Sequence, residues 1–134
     1  MYLFDTDTLS NIVKQTPSPS LIEKLHGLPR AVQFTTAVNV GEIYYGAYRS
    51  AKRERILNAF MQVVFPNLNI LPFDEASGRV FGHLKAEMEK TGIGCSEPDL
   101  RIAAIATQHR LTLITGNIKH FNQIPGLKIQ NWLV

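Results

Sequence analysis

Short apolar runs separated by polar corners recur along this chain, and between them lie longer segments whose apolar residues repeat at three- and four-residue steps. Tyr2, Leu3 and Phe4 make the first run and predict a buried strand. Val32–Val38, Leu68–Leu71, Leu111–Thr115 and Leu127–Trp132 predict four more. Helical spacing follows the strands. Leu9, Ile12 and Val13 mark a first helix, and Leu21, Ile22 and Leu25 a short second one, opened at Pro19 or Ser20 and closed by Gly27 and Pro29. Val40, Ile43, Tyr44 and Ala47 fall at i, i+3, i+4 and i+7, with Asn39 as the expected N-cap and Glu42 in the first turn. Ile56 to Val64 predict a helix stopped at Pro66, and Val80, Phe81, Leu84 and Met88 a longer one capped by Asp74. The segment Glu97–His109 is apolar nearly all round through Ile102–Ala106, which predicts a buried helix with Pro98 and Asp99 in its opening turn. Strands alternating with helices imply an α/β fold with a central, mostly parallel sheet flanked by helices.

At 134 residues, 45% hydrophobic and 19% charged, the chain is expected to form a single domain, residues 1–134, with a core of its own. One cysteine, Cys95, excludes an internal disulfide framework and a cysteine-rich zinc site. No apolar run is long enough to span a bilayer and no signal-like segment opens the chain, so the expected location is cytoplasmic, with no membrane partner. Fourteen basic and eleven acidic residues give a net charge of +3. If Asp5, Asp7, Glu42, Glu97 and Asp99 gather in one pocket, six acids remain to face fourteen bases, a surround of about +8. An acidic pocket inside a basic surface suits a metal-dependent enzyme acting on a polyanion.

Four polar groups occupy equivalent corners. Asp5 ends the first strand, Glu42 opens the helix after the second, Asp99 opens the buried helix, and Asn117 follows the fourth strand. Parallel strands present their carboxyl ends along one edge, so these groups are expected to converge. Packed carboxylates repel and take up protons unless a cation neutralises them, and oxygen ligands alone select Mg²⁺ or Mn²⁺. Such a site activates water for phosphoryl chemistry. Glu97 and Thr115 are expected to support the ligands, and the basic turn carrying Arg49, Lys52, Arg53 and Arg55, with Lys119, to contact phosphates. Each residue also has a plainer role open to it. Asp5 and Asp7 suit a helix cap, Ser96-Glu-Pro-Asp99 a capping box, Asn117 a turn beside Gly116, Glu97 a helix N-terminus, and the basic turn a solvated connection.

Asp5 in YLFDTDTLS, Glu42 in TAVNVGEIYYGA, Asp99 in EPDLRIAAIA and the segment LTLITGNIKHFNQIPGLKIQNW together resemble the PIN domain, and within it the VapC-like toxins of bacterial toxin–antitoxin pairs. The resemblance runs nearly end to end. It implies a three-layer α/β/α domain acting as a Mg²⁺- or Mn²⁺-dependent endoribonuclease, a cognate antitoxin that occupies the site, and a homodimer. Asp5, Glu42 and Asp99 match the family's acidic triad and are the expected metal ligands. Asn117 stands where many members carry a fourth acid, which leaves one-metal and two-metal catalysis open. Asp7 stands where asparagine is frequent, which implies that it supports the ligands rather than joining them. Two alternatives stand beside this. Asp5-Thr-Asp7, followed by Thr8, also resembles the paired-aspartate opening of haloacid-dehalogenase-like phosphatases, with Asp5 as nucleophile. A non-catalytic binding module, with Asn117 as a lost ligand, is the other.

Overall fold

A computed structural model describes residues 1–134. Strands β1 (Tyr2–Phe4), β2 (Gln33–Thr36), β3 (Asn69–Leu71), β4 (Thr112–Ile114) and β5 (Ile129–Gln130) form one sheet in the order β3-β2-β1-β4-β5, every neighbouring pair parallel. The first strand is thus the central one. From β1 the chain adds β2 and β3 on one side, then returns across the sheet to lay β4 and β5 on the other. The crevice between the carboxyl ends of β1 and β4 is therefore the point where the winding reverses, the place where open parallel sheets bind ligands.

Alternation along the central strands assigns their side chains to two cores. Leu3 and Leu113, paired in register, face a cluster built with α5 (Glu75–Thr91), α6 (Glu97–Gln108) and α7 (Ile118–Phe121). Phe4 and Ile114, the next pair, face a cluster built with α1 (Thr6–Ile12), α2 (Pro19–Leu25) and the segment continuing α4 (Arg53–Ala59). Helix α3 (Ala37–Tyr48) packs Val38 against the first core and Ile43 into the second. The result is the expected three-layer α/β/α architecture. Ile102 through Ala106 are wholly buried, so α6 has no solvent face over those turns. Truncating Ile105 to Ala there would cost about 2–5 kcal/mol.

Several boundaries differ from expectation. Strand β2 stops at Thr36, and Ala37 and Val38 already belong to α3. The cap of α3 is Thr36, whose hydroxyl accepts from Asn39 N at 3.1 Å. Asn39 is not the cap, and Glu42 lies in the second turn rather than the first. The helix after Arg53 passes through a π-helical turn at Phe60–Val64 and a 3-10 turn at Phe65–Asn67. The last strand pairs only over Ile129–Gln130. Past it the chain turns so that Trp132 packs edge-on against Tyr2 and Phe4, with centroids 4.8 and 5.5 Å apart. Asp74 caps α5 in a reciprocal capping box with Ser77. At α6 the box is one-sided: Ser96 Oγ accepts from Asp99 N at 3.3 Å, and the Asp99 carboxylate does not reach back. No helix is long and apolar enough to cross a membrane.

Candidate active site

Asp5 leaves the end of β1 and is only 4% exposed. Its Oδ1 accepts from Thr6 N at 2.9 Å and from Asn39 Nδ2 at 3.0 Å, and its Oδ2 accepts from Thr115 Oγ1 at 2.8 Å. Thr115 is at the end of β4, so the switch-point crevice is closed by this bond. Burial pushes the Asp5 carboxyl up to about 6, with the charges of Asp7 and Glu42 adding to the effect and the bonds from Thr115 and Thr6 opposing it.

Glu42 reaches the same corner from α3. Its Oε1 accepts from Thr6 Oγ1 at 2.7 Å, and that hydroxyl accepts in turn from Asn39 Nδ2 at 3.0 Å. Asn39 is oriented by its other end, where Oδ1 accepts from Thr36 Oγ1 at 2.7 Å. A fully buried asparagine therefore ties the cap of α3 to both Asp5 and the threonine that holds Glu42. Sequence reasoning gave Asn39 only a capping role and Thr6 none. The available signal was the three-residue step Thr36, Asn39, Glu42, a polar line along a helix whose other inward residues are apolar.

Asp7 serves the loop opposite. Its Oδ2 accepts from Gly116 N at 2.8 Å, and Thr8 Oγ1 donates to its Oδ1 at 3.3 Å. The approach is close enough that a Cβ on Gly116 would lie 2.7 Å from Asp7 Oδ2 and 2.9 Å from Leu133 Cδ1. Only glycine fits there.

The structure gathers Asp5, Asp7 and Glu42 but not all five acids. Asp99, at the start of α6, faces His120 Nδ1 at 3.4 Å and borders a shallow cavity of about 270 Å³ shared with Cys95, Lys119 and His120. As the side chains stand, no three His, Cys, Asp or Glu groups are close enough to hold one ion. Glu97 points elsewhere: it is exposed, bonded to Lys85 Nζ at 2.8 Å and Arg101 at 3.3 Å, and these cations hold its carboxyl below the usual range. The expected five-acid pocket is thus smaller than its sequence count. Asn117 is exposed; its backbone N donates to Thr115 Oγ1 and its carbonyl accepts from His120 N, both at 3.0 Å, and its side chain makes no hydrogen bond. Arg49, Lys52, Arg53 and Arg55 stand together where α3 meets α4.

Asp5, Asp7 and Glu42 take part in no ion pair with any Lys, Arg or His. Buried or half-buried carboxylates that lack a counter-charge, all oxygen donors, are the chemistry of a hard-cation site.

Comparison with known proteins identifies the family. The family model for the PIN domain matches residues 2–127. Ribonuclease VapC2 of Haemophilus influenzae is 30% identical over 132 residues, covering 98% of both chains. The tRNA(fMet)-specific endonuclease VapC of Salmonella typhimurium is 28% identical, over 98% of this chain and 97% of its own. Among solved structures, VapBC2 from Rickettsia felis bound to a DNA fragment from their promoter superposes with a TM-score of 0.88 at 28% identity, covering 98% of each chain. With a sheet of the same architecture and a match that spans nearly the whole sequence, the chain belongs to the PIN-domain family, in its VapC-like branch.

Proposed function

We propose that this protein is a divalent-metal-dependent endoribonuclease and the toxin partner of a cognate antitoxin. The observation that carries the reading is the group Asp5, Asp7 and Glu42 at the sheet's switch point with no cationic partner. Asp5, Glu42 and Asp99 would hold Mg²⁺ or Mn²⁺. A cation bound there supplies the charge that acidifies an attacking water and offsets the charge gathering on phosphate oxygens. The chain's own contribution is orientation. Thr6 and Asn39 fix Glu42 relative to Asp5, and Thr115 holds the second Asp5 oxygen, so these two carboxylates are oriented in advance, while Asp99 would turn from His120 to join them. Asp7 anchors the β4–α7 loop through Gly116 and is a positioning residue.

The relatives' names point the same way: one is called a ribonuclease and another a tRNA(fMet)-specific endonuclease. The neighbour from Rickettsia felis is a VapBC complex. By analogy, this chain would bind an antitoxin whose arginine side chain pairs with the acidic group, its planar fork matching the carboxylates, and would form a homodimer. The phosphatase alternative assigns Asp5 as a nucleophile. Against it stand the family match and the three hydrogen bonds already held by the Asp5 oxygens.

The test is cleavage of RNA with defined ends. Activity should require Mg²⁺ or Mn²⁺, disappear with a chelator, and leave a 5′-phosphate and a 3′-hydroxyl. Asp99→Asn should lower it at least about a hundredfold with the fold intact. Phosphate trapped covalently on Asp5, or full activity in the Asp99→Asn protein, would overturn the reading.

A further inference from the structure

Beyond Glu42, helix α3 carries an exposed aromatic and basic strip. Tyr45 and Arg49 follow Glu42 at i+3 and i+7, so all three share one helix face, about 4.5 and 10.5 Å along the axis. Tyr45 and Tyr48 are 63% and 56% exposed, high values for such large rings. Each carries a guanidinium over it: Arg49 lies 5.3 Å from the Tyr45 ring centre and Arg53 lies 5.1 Å from that of Tyr48. Arg49 also donates to the Tyr45 hydroxyl at 3.2 Å.

The charges around these rings are uncompensated. Arg49, Lys52, Arg53 and Arg55 form no ion pair, and Glu54 is the one acid among them, a local excess of four cations over one carboxylate. A second copy of this chain docking the same face onto itself would press like charges together. A chain of phosphates would not. Flat guanidinium and tyrosyl faces also accept unpaired bases by stacking, a mode open to single strands and closed to the stacked bases of a duplex.

We infer that Tyr45 and Tyr48, with Arg49 and Arg53 held over them, form a stacking platform for unpaired RNA bases that leads the strand along α3 to the acidic site. The inference rests on the ribonuclease reading for its substrate. The preset arginines lower the ordering cost of binding, because their side chains are already held against the rings. The platform favours flexible or looped RNA over helical RNA and sets the register in which a phosphodiester reaches Glu42.

Binding in a chelator separates this from catalysis. A short fluorescent oligouridylate, the matching RNA duplex and inorganic polyphosphate would be titrated against the full chain by anisotropy. Wild type should prefer the single strand. Tyr45→Ala and Tyr48→Ala should each weaken single-strand binding about five- to a hundredfold, with polyphosphate binding changed less than twofold. Tyr→Phe at either position should restore it, a result that loss of the hydroxyl or of folding does not give. Arg53→Lys should weaken the single strand while keeping the salt dependence.

Unchanged single-strand affinity in the Tyr45→Ala/Tyr48→Ala protein, with metal-dependent cleavage intact, overturns the platform and leaves the nuclease reading standing. Ring-dependent binding without any cleavage by wild type supports the platform and overturns the nuclease reading. Light scattering that shows a dimer lost in the double alanine protein, at unchanged RNA affinity, makes the face a self-interface and overturns the platform.

Discussion

Asp5 sits buried beside two other acids, and the chain places no cation against it. Its carboxyl titrates near 6 in the folded protein against an ordinary value of 3.8. The folded state therefore binds this proton more tightly than the unfolded state. The corresponding stability is fully present below about pH 4 and is lost as the pH rises through about 6, a difference of about 3 kcal/mol. Asp5→Asn removes the charge and keeps the shape. In a chelator, the variant should match wild type near pH 4 and exceed its unfolding free energy above pH 7, measured by urea titration. Mg²⁺ should close the gap by stabilising wild type at the higher pH only. A gap that does not vary with pH would remove Asp5 from the uncompensated group.

At the level of elements, the loop between β4 and α7 is fixed by contacts that no local pattern announces. Gly116→Ala inserts a methyl 2.7 Å from Asp7 Oδ2 and 2.9 Å from Leu133 Cδ1. It should destabilise the fold by about 1–3 kcal/mol in a denaturant titration. The loss should shrink in an Asp7→Ala background, where the nearer obstacle is gone, and an equal loss in both backgrounds would assign the strain elsewhere. The five strands, the long α5 with its Asp74 cap, and the buried α6 were all legible, because apolar spacing and cap chemistry are written locally. The start of α3 was not. Thr36 and Asn39 are both good caps, and Ala37-Val38 extends a β-like run. What decides between them is the tertiary destination of Asn39, a buried bond to Asp5 across 34 residues. Glu97 misled for a related reason: a first-turn acid looks the same whether it faces a metal or a lysine, and Lys85 comes from a different helix. The acids at Asp5 and Glu42 were visible as corners, but the Thr6 hydroxyl between them has no signature beyond adjacency.

Across the whole molecule, a net charge of +3 conceals a division of labour. The acids at the switch point and the unpaired cations at the α3–α4 junction are separated along α3, so a polyanion is attracted to the protein without being held at its acidic centre. If the four cations Arg49, Lys52, Arg53 and Arg55 each neutralise one phosphate of a single strand, log affinity should fall with log salt at a slope of about −3. Arg55→Ala should flatten that slope by about 0.7 and weaken all sequences alike. A slope near zero would show that the junction does not bind phosphates.

The bond between Asp5 and Thr115 spans 110 residues, and it joins the two sides of the switch-point crevice. During synthesis at about 5–20 residues per second, the first acid would wait several seconds or more for the hydroxyl that holds it. Throughout that interval the central strand lacks its β4 neighbour, and no shorter nascent chain can contain the assembled crevice. On the proposed reading, activity would be deferred until Thr115 has been made and β4 laid beside β1, a delay during which a growing chain would spare RNA beside the ribosome that is making it.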